Sequence, residues 1–281
     1  MAATPQADID SALEQLAARK DDWAKLSIER RLDYLHSMRQ LTGDSARDWV
    51  HLSLDGKRLP TDSPLAGEEW MSGPYALLIA INALESTLTA LATGGDILES
   101  QQVRTRAGGQ VVVDVFPTDV FDRLLLSGYR AEVWMQQGVT PANLRANMAA
   151  FHRQTDPSGV LGLILGAGNI ASIPLLDVLT KMFTEGQVAV VKMNPVNDYL
   201  GPVFERICAK LVDDGFLRFV YGDGGIGAYL TSHKLVEALH ITGSAETYNN
   251  IVFGTGDAGD RRRRDNEPLL HKPFSSCLLY T

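Results

Sequence analysis

The segment VLGLILGAG, residues 160–168, decides how the second half of this 281-residue chain is interpreted. It is an unbroken apolar run that ends in glycines, which is typical of a parallel strand buried on both faces of its sheet. A helical pattern follows from Pro174 to Glu185, and QVAVVKMN at residues 187–194 then predicts a second buried strand. The order of strand, helix and strand indicates a βαβ unit.

The same alternation continues along the chain. Residues 200–213 carry apolar side chains at steps of three and four, which predicts a helix. LRFVYGDGG (217–225) predicts a third strand and a short helix that ends near His233, and ALHITGS (238–244) predicts a fourth strand before a helix from Glu246. Because crossovers between parallel strands are right-handed, these units predict an α/β fold. Its centre is a Rossmann-like, doubly wound parallel sheet over residues 158–276.

The remaining residues form two further regions. Residues 1–157 show apolar side chains at helical spacing and predict a mainly helical region, with one strand at the β-branched run of residues 110–116. Polar residues interrupt the apolar stretch 74–93, which therefore predicts a buried helix rather than a membrane span. Residues 277–281 follow neither pattern and are interpreted as an aberrant tail.

The composition narrows the classes of function. The formal net charge is -8, from 26 Lys and Arg against 34 Asp and Glu, so the chain lacks the electrostatic footprint of a nucleic-acid-binding protein. The one basic run, Arg261–Arg264, lies among carboxylates and is interpreted as a solvated loop. Two cysteines are too few for a disulfide scaffold, and no His or Cys spacing predicts a metal site. The sequence shows no signal-peptide pattern, so we expect a soluble, cytoplasmic protein.

Glycines and polar residues cluster where the predicted strands end. The four ends are Gly166–Asn169, Lys192–Asn194, Gly222–Gly225 and Thr242–Ser244. Open parallel sheets bind ligands outside the carboxyl ends of their strands. Since these residue types can approach and hydrogen-bond a nucleotide, they predict a nucleotide cofactor at this edge of the sheet.

Two loops compete for the phosphates of that cofactor. Residues 166–171 have the glycine spacing of a dinucleotide-binding loop, but the acidic residue expected about 20 positions later is replaced by Lys192. Thr242-Gly243-Ser244 ends a strand and begins a helix, where backbone N–H groups and the helix dipole attract anions. A serine at such a point is, however, most often only a helix cap. The residues alone leave both loops open.

Three motifs together resemble the coenzyme-binding portion of the aldehyde dehydrogenase superfamily. They are VVKMNP (190–195), VYGDGGIG (220–227) and SHKLVEALHITGS (232–244), in this order and with these gaps. The resemblance extends over roughly residues 20–252. It implies an NAD- or NADP-dependent oxidoreductase that acts on an aldehyde or oxo group.

The resemblance also implies residue roles. The Asn169 amide would donate to the oxyanion of a thiohemiacetal, Lys192 would contact the adenine ribose, and Ser244 would contact the pyrophosphate. The other implied cofactor-binding residues are Gly166 and Gly168 near the nicotinamide, Asn194 near the ribose, Gly222, Gly224 and Gly225 near the adenine, and Thr242 and Gly243 near the phosphates. Ordinary alternatives exist, since Asn169 could simply form a turn and Lys192 could be solvated.

The sequence departs from the family pattern in two places. Met193-Asn194-Pro195 lacks the carboxylate that commonly holds the ribose, so a 2′-phosphate would meet no like charge and NADP is permitted. Tyr248-Asn249-Asn250 fills a region where the family usually has a glycine, so close approach of the phosphate is less assured.

The chemistry of this family needs a cysteine thiolate and a glutamate base. The strand with that glutamate is expected to open near residues 272–276, but position 277 is a cysteine and the sequence ends at Thr281. Cys208 lies on an apolar helix face and predicts a core residue. We therefore expect a coenzyme-binding fragment, from a truncated or frameshifted reading frame, without a fifth strand, a catalytic domain or enzymatic activity.

Three alternatives stay open. The chain could belong to the acyl-CoA reductase type of the same superfamily, or it could be a non-catalytic nucleotide-binding module. It could also be a sheet domain that binds no nucleotide, an alternative that the residues 248–250 leave open. An aldehyde or acyl substrate would bind only together with the missing domain. Uncovered apolar faces and an exposed sheet edge favour homo-oligomers, and neither a nucleic acid nor a membrane is an expected partner.

Overall fold

A computed structural model describes residues 1–118 and 120–279, with the backbone alone at Leu279. The chain divides into two compact units, which we call the sheet unit (residues 1–85 and 156–281) and the small unit (residues 86–155). The predicted boundary at 157/158 lies next to the second junction between them. The N-terminal residues 1–85, however, share a unit with the sheet.

The regular elements of residues 158–253 follow the predicted order, and those of the other regions include strands and a helix that the sequence did not predict. The helices are α1 (Gln6–Ala24), α2 (Ile28–Gly56), α3 (Ala66–Trp70), α4 (Ala76–Ala92), α5 (Val120–Leu125), α6 (Ile173–Leu179), α7 (Gly201–Ile207), α8 (Ala209–Asp213), α9 (Gly224–Ser232), α10 (Ala245–Phe253) and α11 (Gly256–Asp265). The strands are β1 (Val103–Thr105), β2 (Val111–Phe116), β3 (Ala131–Trp134), β4 (Leu161–Leu165), β5 (Val188–Lys192), β6 (Leu217–Val220), β7 (Ala238–Ser244) and β8 (Phe274–Leu279). π-helical turns occupy Met71–Tyr75 and Thr180–Thr184.

The sheet unit is built on a five-stranded sheet with the order β6-β5-β4-β7-β8, in which every neighbouring pair is parallel. All residues of β4 and β5 are buried, as their continuous apolar sequences predict. The chain winds outward from β4 in one direction and then returns to place β7 on its other side. The predicted α/β, doubly wound architecture is therefore confirmed, with the strand order reversing between β4 and β7.

A fifth strand is present, so its expected absence was wrong. Strand β8 begins at Phe274, within the predicted opening, and pairs with β7 along its whole length. Cys277, which we had assigned to an aberrant tail, lies opposite Thr242 in this register. The mixed sequence FSSCLL has no continuous apolar run because β8 is the outermost strand, where residues such as Ser275 are exposed.

The N-terminal helices pack on the sheet through aromatic residues. The Trp23 ring lies 5.4 Å from Phe183 and 5.1 Å from Phe216, and its Nε1–H donates to the Met182 carbonyl at 3.1 Å. Arg31 is 1% exposed and donates to the carbonyls of Leu26 and Met182. Burial lowers the pKa of Arg31 to about 10. Because these helices bury their apolar faces on the sheet, residues 1–85 belong to the sheet unit.

The small unit contains an antiparallel sheet with the order β1-β2-β3. Its core is formed by Leu98, Val111, Val113 and Leu144. The strand predicted at 110–116 is β2, so this element is confirmed within one residue.

The apolar stretch 74–93 is helical but not uniformly buried. The helical span Ala66–Ala92 is long and apolar enough to cross a membrane by length and composition, and 22% of its most apolar window is buried. Ile81 is buried in this span, whereas Ile79 is 45% exposed. The expectation that no membrane is involved stays a prediction.

The basic run Arg261–Arg264 is helical, not a loop as predicted. It forms the second half of α11, whose first turn carries Asp257 and whose last turn carries three arginines. Acidic residues near the start and basic residues near the end of a helix interact favourably with its dipole. Asn266 then ends the helix in a left-handed conformation, with φ 56°.

Candidate functional site

A cleft lies at the carboxyl edge of the five-stranded sheet, where the strand order reverses. Its cavity has a volume of about 890 Å³ and is lined from the ends of β4, β5 and β7 and from helices α9 and α10. A second cavity of about 480 Å³ adjoins it and shares the lining residues Thr231, Ser232, Ile251 and Leu269. Such a cleft is the position at which doubly wound sheets bind their ligands.

The cleft brings together nine of the eleven residues that the sequence singled out. These are Gly166, Gly168, Asn169, Lys192, Asn194, Gly224, Thr242, Gly243 and Ser244. Gly222 and Gly225 are not among its lining residues. Gly222 has φ 137°, and a Cβ there would meet Ile226 Cγ1 at 2.6 Å, so this glycine is needed for the turn into α9.

The loop after β4 approaches the loop after β5 closely. A Cβ on Gly168 would lie 2.9 Å from Asn194 Cγ, so only glycine fits at this point. Asn169 follows in a bend and is exposed, and its amide is not hydrogen-bonded to any residue that the structure describes. The Asn169 side chain is therefore available to a ligand in the cleft.

Lys192 ends β5 with its side chain in the cleft. It is 7% exposed, and its ammonium has no hydrogen bond or ion pair within residues 1–118 and 120–279. Burial lowers the pKa of Lys192, while the carboxylates of Asp223 and Asp198 act in the opposite direction. A buried cation without a partner favours an anionic or polar ligand.

Sequence reasoning missed Asn197, which joins the two loops. Its Nδ2 donates to the Ala167 carbonyl at 2.9 Å, and it is 4% exposed. Asn194 has a different role, because its Oδ1 accepts from the Val196 N–H at 3.0 Å and closes a turn. The signal available in the sequence was the pair of asparagines around Pro195, since asparagine side chains commonly hydrogen-bond backbone in turns.

Strand β7 leads directly into α10. Ser244 is the N-cap of α10 and its Oγ accepts from the Thr247 N–H at 3.1 Å, so the capping interpretation of this serine holds. Ser244 also lines the cleft. Its contact with a phosphate stays a prediction. The first-turn N–H groups of a helix have no partner within the helix and attract anions.

Of Tyr248, Asn249 and Asn250, which replace the expected glycine, only Asn250 is a lining residue of the cleft. The Tyr248 ring stacks on Phe274 of β8 with centroids 5.0 Å apart. Asn250 lines the cleft one turn into α10, together with Thr247 and Ile251.

Helix α9 supplies cleft residues that sequence reasoning did not identify. Gly227, Ala228, Thr231 and Ser232 line the cavity along one face of this helix. The signal was the run of small side chains in GGIGAYLTS, which lets a ligand approach the helix backbone.

Neither cysteine lies in the cleft lining. Cys208 is fully buried, and burial raises the pKa of its thiol well above the usual range. Cys277 is exposed on the outermost strand β8. Over residues 1–118 and 120–279, no group of three or more His, Cys, Asp or Glu side chains is arranged to hold a metal ion.

No protein-family model matches the sequence, and no curated protein matches it. Among solved structures it is similar to an aldehyde dehydrogenase of Pseudomonas syringae in complex with NAD+ and octanal, with 15% identity and a TM-score of 0.55. A second is an aldehyde dehydrogenase of Mycobacterium tuberculosis in complex with NAD+, with 16% identity and a TM-score of 0.56. A third is an NADP-dependent glyceraldehyde-3-phosphate dehydrogenase of Bacillus halodurans in complex with NADP, with 15% identity and a TM-score of 0.55.

These alignments cover 99% of this chain and 43%, 45% and 46% of the three others. The chain thus spans less than half the length of the structures that it resembles. At this level of identity the likeness establishes the fold, which is that of the corresponding part of an aldehyde dehydrogenase.

Proposed function

We propose that the cleft binds NAD or NADP and that the chain is the coenzyme-binding part of an NAD(P)-dependent oxidoreductase acting on an aldehyde or oxo group. One observation carries the proposal. Residues chosen from separate sequence segments line a single cavity of about 890 Å³ at the point where the strand order of the sheet reverses. That volume lies within the range of pockets that hold cofactors.

The residues present fit a nicotinamide dinucleotide. The N-terminus of α10 offers backbone N–H groups and the positive end of a helix dipole to the pyrophosphate. Lys192 adds a cation that has no partner among the residues that the structure describes, and Gly168 lets the loop after β4 come close to Asn194. When bound, such a cofactor accepts or donates a hydride.

The chain's own residues would bind and orient the reactants. Asn169 projects from the bend after β4, and a fixed amide donor suits the negative charge that develops on a carbonyl oxygen during nucleophilic attack. The three solved structures support this direction, since each was determined with NAD+ or NADP. The acyl-CoA reductase type of the same superfamily would use the same cleft.

A non-catalytic nucleotide-binding module is the second candidate. The positions of the two cysteines favour this candidate. Cys208 is buried and its thiol pKa is raised, and Cys277 lies on an exposed strand outside the cleft lining. A nucleophile must be both ionised and accessible to attack a carbonyl. Cofactor binding is common to both candidates, and turnover separates them.

Calorimetric titration of the full chain with NAD and with NADP tests the proposal. We expect at least one nucleotide to bind and to raise the midpoint of thermal unfolding, because a ligand that binds only the folded state stabilises it. A cooperatively unfolding chain that binds neither nucleotide would contradict the proposal.

An aldehyde-oxidation assay on the same preparation separates the two candidates. We expect no turnover from the chain alone. Turnover that disappears in Cys277→Ala, with cofactor binding unchanged, would instead make Cys277 a nucleophile.

A further inference from the structure

A cluster of polar side chains lies beside the cleft, on α6, β7 and β8. His240 Nε2 is 3.2 Å from Asp177 Oδ1, and His240 Nδ1 is 2.9 Å from Ser275 Oγ. Thr242, two residues along β7, donates from Oγ1 to Asp177 Oδ2 at 3.1 Å. Lys181 Nζ reaches Ser275 Oγ at 2.8 Å and also pairs with Glu185 at 2.6 Å. The cluster therefore runs without a break from the cleft residue Thr242 to strand β8.

The proton positions in this cluster follow from its donors and acceptors. An ionised carboxylate only accepts, so Thr242 and His240 Nε2 must both donate to Asp177. Lysine only donates, so Ser275 Oγ accepts from Lys181. The Ser275 hydroxyl has two acceptors within reach, His240 Nδ1 at 2.9 Å and the Leu239 carbonyl at 3.4 Å. In either case His240 Nε2 holds a hydrogen that it donates to Asp177.

This arrangement determines how Thr242 can meet a ligand. Thr242 lines the cleft and is 4% exposed. A hydroxyl has one hydrogen, and that of Thr242 is already donated to Asp177. Thr242 Oγ1 also lies 3.4 Å from His240 Nε2, so that toward a ligand it accepts through its remaining lone pair and does not donate to a phosphate oxygen.

The cluster also costs more than an apolar packing of the same space. The side chains of Asp177 and His240 are 14% and 12% exposed. Burying a carboxylate with one imidazole and one hydroxyl as partners is seldom more stable than hydrophobic residues of similar volume. The pair lies behind the cleft residue Thr242 and fixes the rotamer and the proton of its hydroxyl.

We propose that Asp177 and His240 are positioning residues that hold Thr242 in the cleft as a hydrogen-bond acceptor for an N–H or O–H group of the bound ligand. The inference rests on the proposed nicotinamide cofactor and assigns part of its recognition. An amide or a ribose hydroxyl of the cofactor carries the required donor, whereas its phosphates do not. Thr242 therefore acts on a different part of the ligand from the phosphate groups that we had assigned to it.

The first test observes the histidine in the full chain without a ligand. Nitrogen-15 NMR of the imidazole rings at about pH 8, where histidine is ordinarily neutral, distinguishes the two tautomers. We expect the resonance that disappears in His240→Gln to show a proton on Nε2. Absence of a proton from Nε2 would overturn the assignment, because Asp177 would then face an acceptor.

The second test measures cofactor affinity by calorimetry in matched variants. Thr242→Val removes the hydroxyl and should weaken the nucleotide that binds by about 5-fold, the loss of one hydrogen bond. Thr242→Ser keeps the hydroxyl and should restore affinity to within about 2-fold of the unmodified chain. His240→Gln keeps an N–H for Asp177 and should weaken binding less than His240→Phe. A general loss of structure would not produce this order.

The outcomes separate the two proposals. If the unmodified chain binds NAD or NADP and Thr242→Val binds equally well, the role of Thr242 is refuted while the cofactor proposal stands. If the folded, unmodified chain binds neither nucleotide, both proposals fail. Thermal unfolding of each variant identifies any that does not fold. In that case the cofactor affinities of Thr242→Ser and His240→Gln are still compared with that of the unmodified chain.

Discussion

Helices α9 and α10 form a natural pair for comparison. Each is nine residues long, begins near the carboxyl end of a sheet strand, and has a side-chain cap at its N-terminus. The cap of α9 is Asp223, whose carboxylate accepts from the N–H groups of Gly225 and Ile226. The cap of α10 is the neutral Ser244, which accepts from the Thr247 N–H.

This difference decides where an anion can bind. The carboxylate of Asp223 neutralises the positive end of α9, and like charges repel a phosphate there. Ser244 satisfies one N–H of α10 without adding charge, so that the positive end of the dipole remains. Two glycine-containing turns that look alike in the sequence therefore differ in electrostatic potential. We therefore expect the phosphates of the proposed cofactor at α10 rather than at α9.

Making α10 resemble α9 should have the largest effect. In Ser244→Asp the helix stays capped, but a carboxylate would face the phosphates across a few ångströms. We expect affinity for NAD and NADP to fall by about 1000-fold, in line with the roughly 4 kcal/mol between two charges about 4 Å apart near a protein surface. Calorimetric titration measures this loss.

A matched control exists elsewhere in the chain. Ser27 is the N-cap of α2 and accepts from the Arg30 N–H at 3.4 Å. Ser27→Asp makes the same chemical change away from the cleft and should leave affinity unchanged. Equal affinity of Ser244→Asp and the unmodified chain would move the phosphate site to residues 166–169.

Removing the ammonium of Lys192 should have the next largest effect. Lys192→Met keeps the apolar stem and removes the ammonium, so we expect about 10- to 100-fold weaker binding, the range of a charged hydrogen bond. Lys25→Met, in which a lysine is exposed outside the cleft, should bind as the unmodified chain does.

The pH dependence of binding gives a second measurement on Lys192. Its pKa is lowered from the ordinary value of 10.5 by burial, so the ammonium loses its proton below pH 10.5. Cofactor affinity should accordingly fall as the pH rises toward 10.5, and this fall should be absent in Lys192→Met. If cofactor affinity falls toward pH 10.5 in Lys192→Met just as it does in the unmodified chain, Lys192 is excluded from the site.

Deleting the cap of α10 should have a smaller effect than charging it. In Ser244→Ala, loss of one hydrogen bond predicts about 1 kcal/mol weaker cofactor binding, or about 5-fold. The loss of the cap also destabilises the protein by about 1 kcal/mol, which Ser27→Ala should reproduce without any change in affinity. If Ser244→Ala and Ser27→Ala bind the cofactor with the same affinity, Ser244 only caps the helix.

Neutralising the cap of α9 should have the smallest effect, with opposite sign. Asp223→Asn keeps a good N-cap and removes a negative charge that acts on Lys192. We expect affinity for NADP to rise by about 2-fold, the size of a solvent-screened charge effect, and affinity for NAD to rise less. Titration with both nucleotides measures the ratio of the affinity for NADP to the affinity for NAD. Weaker binding of NAD would instead indicate that Asp223 holds a ribose hydroxyl.

Much of the sheet could be predicted because the physics of its strands is local. The strands β4 and β5 are buried on both faces and must be continuously apolar, and that pattern is legible in the sequence. Strand β8 was missed because an outermost strand needs no such pattern. Helix α11 was missed because its stability comes from the order of acidic and basic residues, which resembles a solvated loop when only composition is considered.

The glycine and capping residues of the candidate site could be predicted from the sequence, whereas the partners of its side chains could not. Glycines and capping residues follow local rules, and nine of the predicted residues do line the cleft. The contact between Thr242 and Asp177 joins residues 65 positions apart, and no spacing rule connects them. The same is true of the contact between Asn197 and the Ala167 carbonyl. Partners of this kind become visible only when the strands have been placed side by side.

The packing of Trp23 and Arg31 on the π-helical turn at Thr180–Thr184 has a practical consequence for dissection of the chain. A shortened version that starts at residue 158 would lose the Trp23 indole, which covers Phe183 and Phe216, and the Arg31 guanidinium, which donates to the Met182 carbonyl. Two buried phenylalanine rings would then face water. We therefore expect the Rossmann-like portion to fold stably only together with the first two helices.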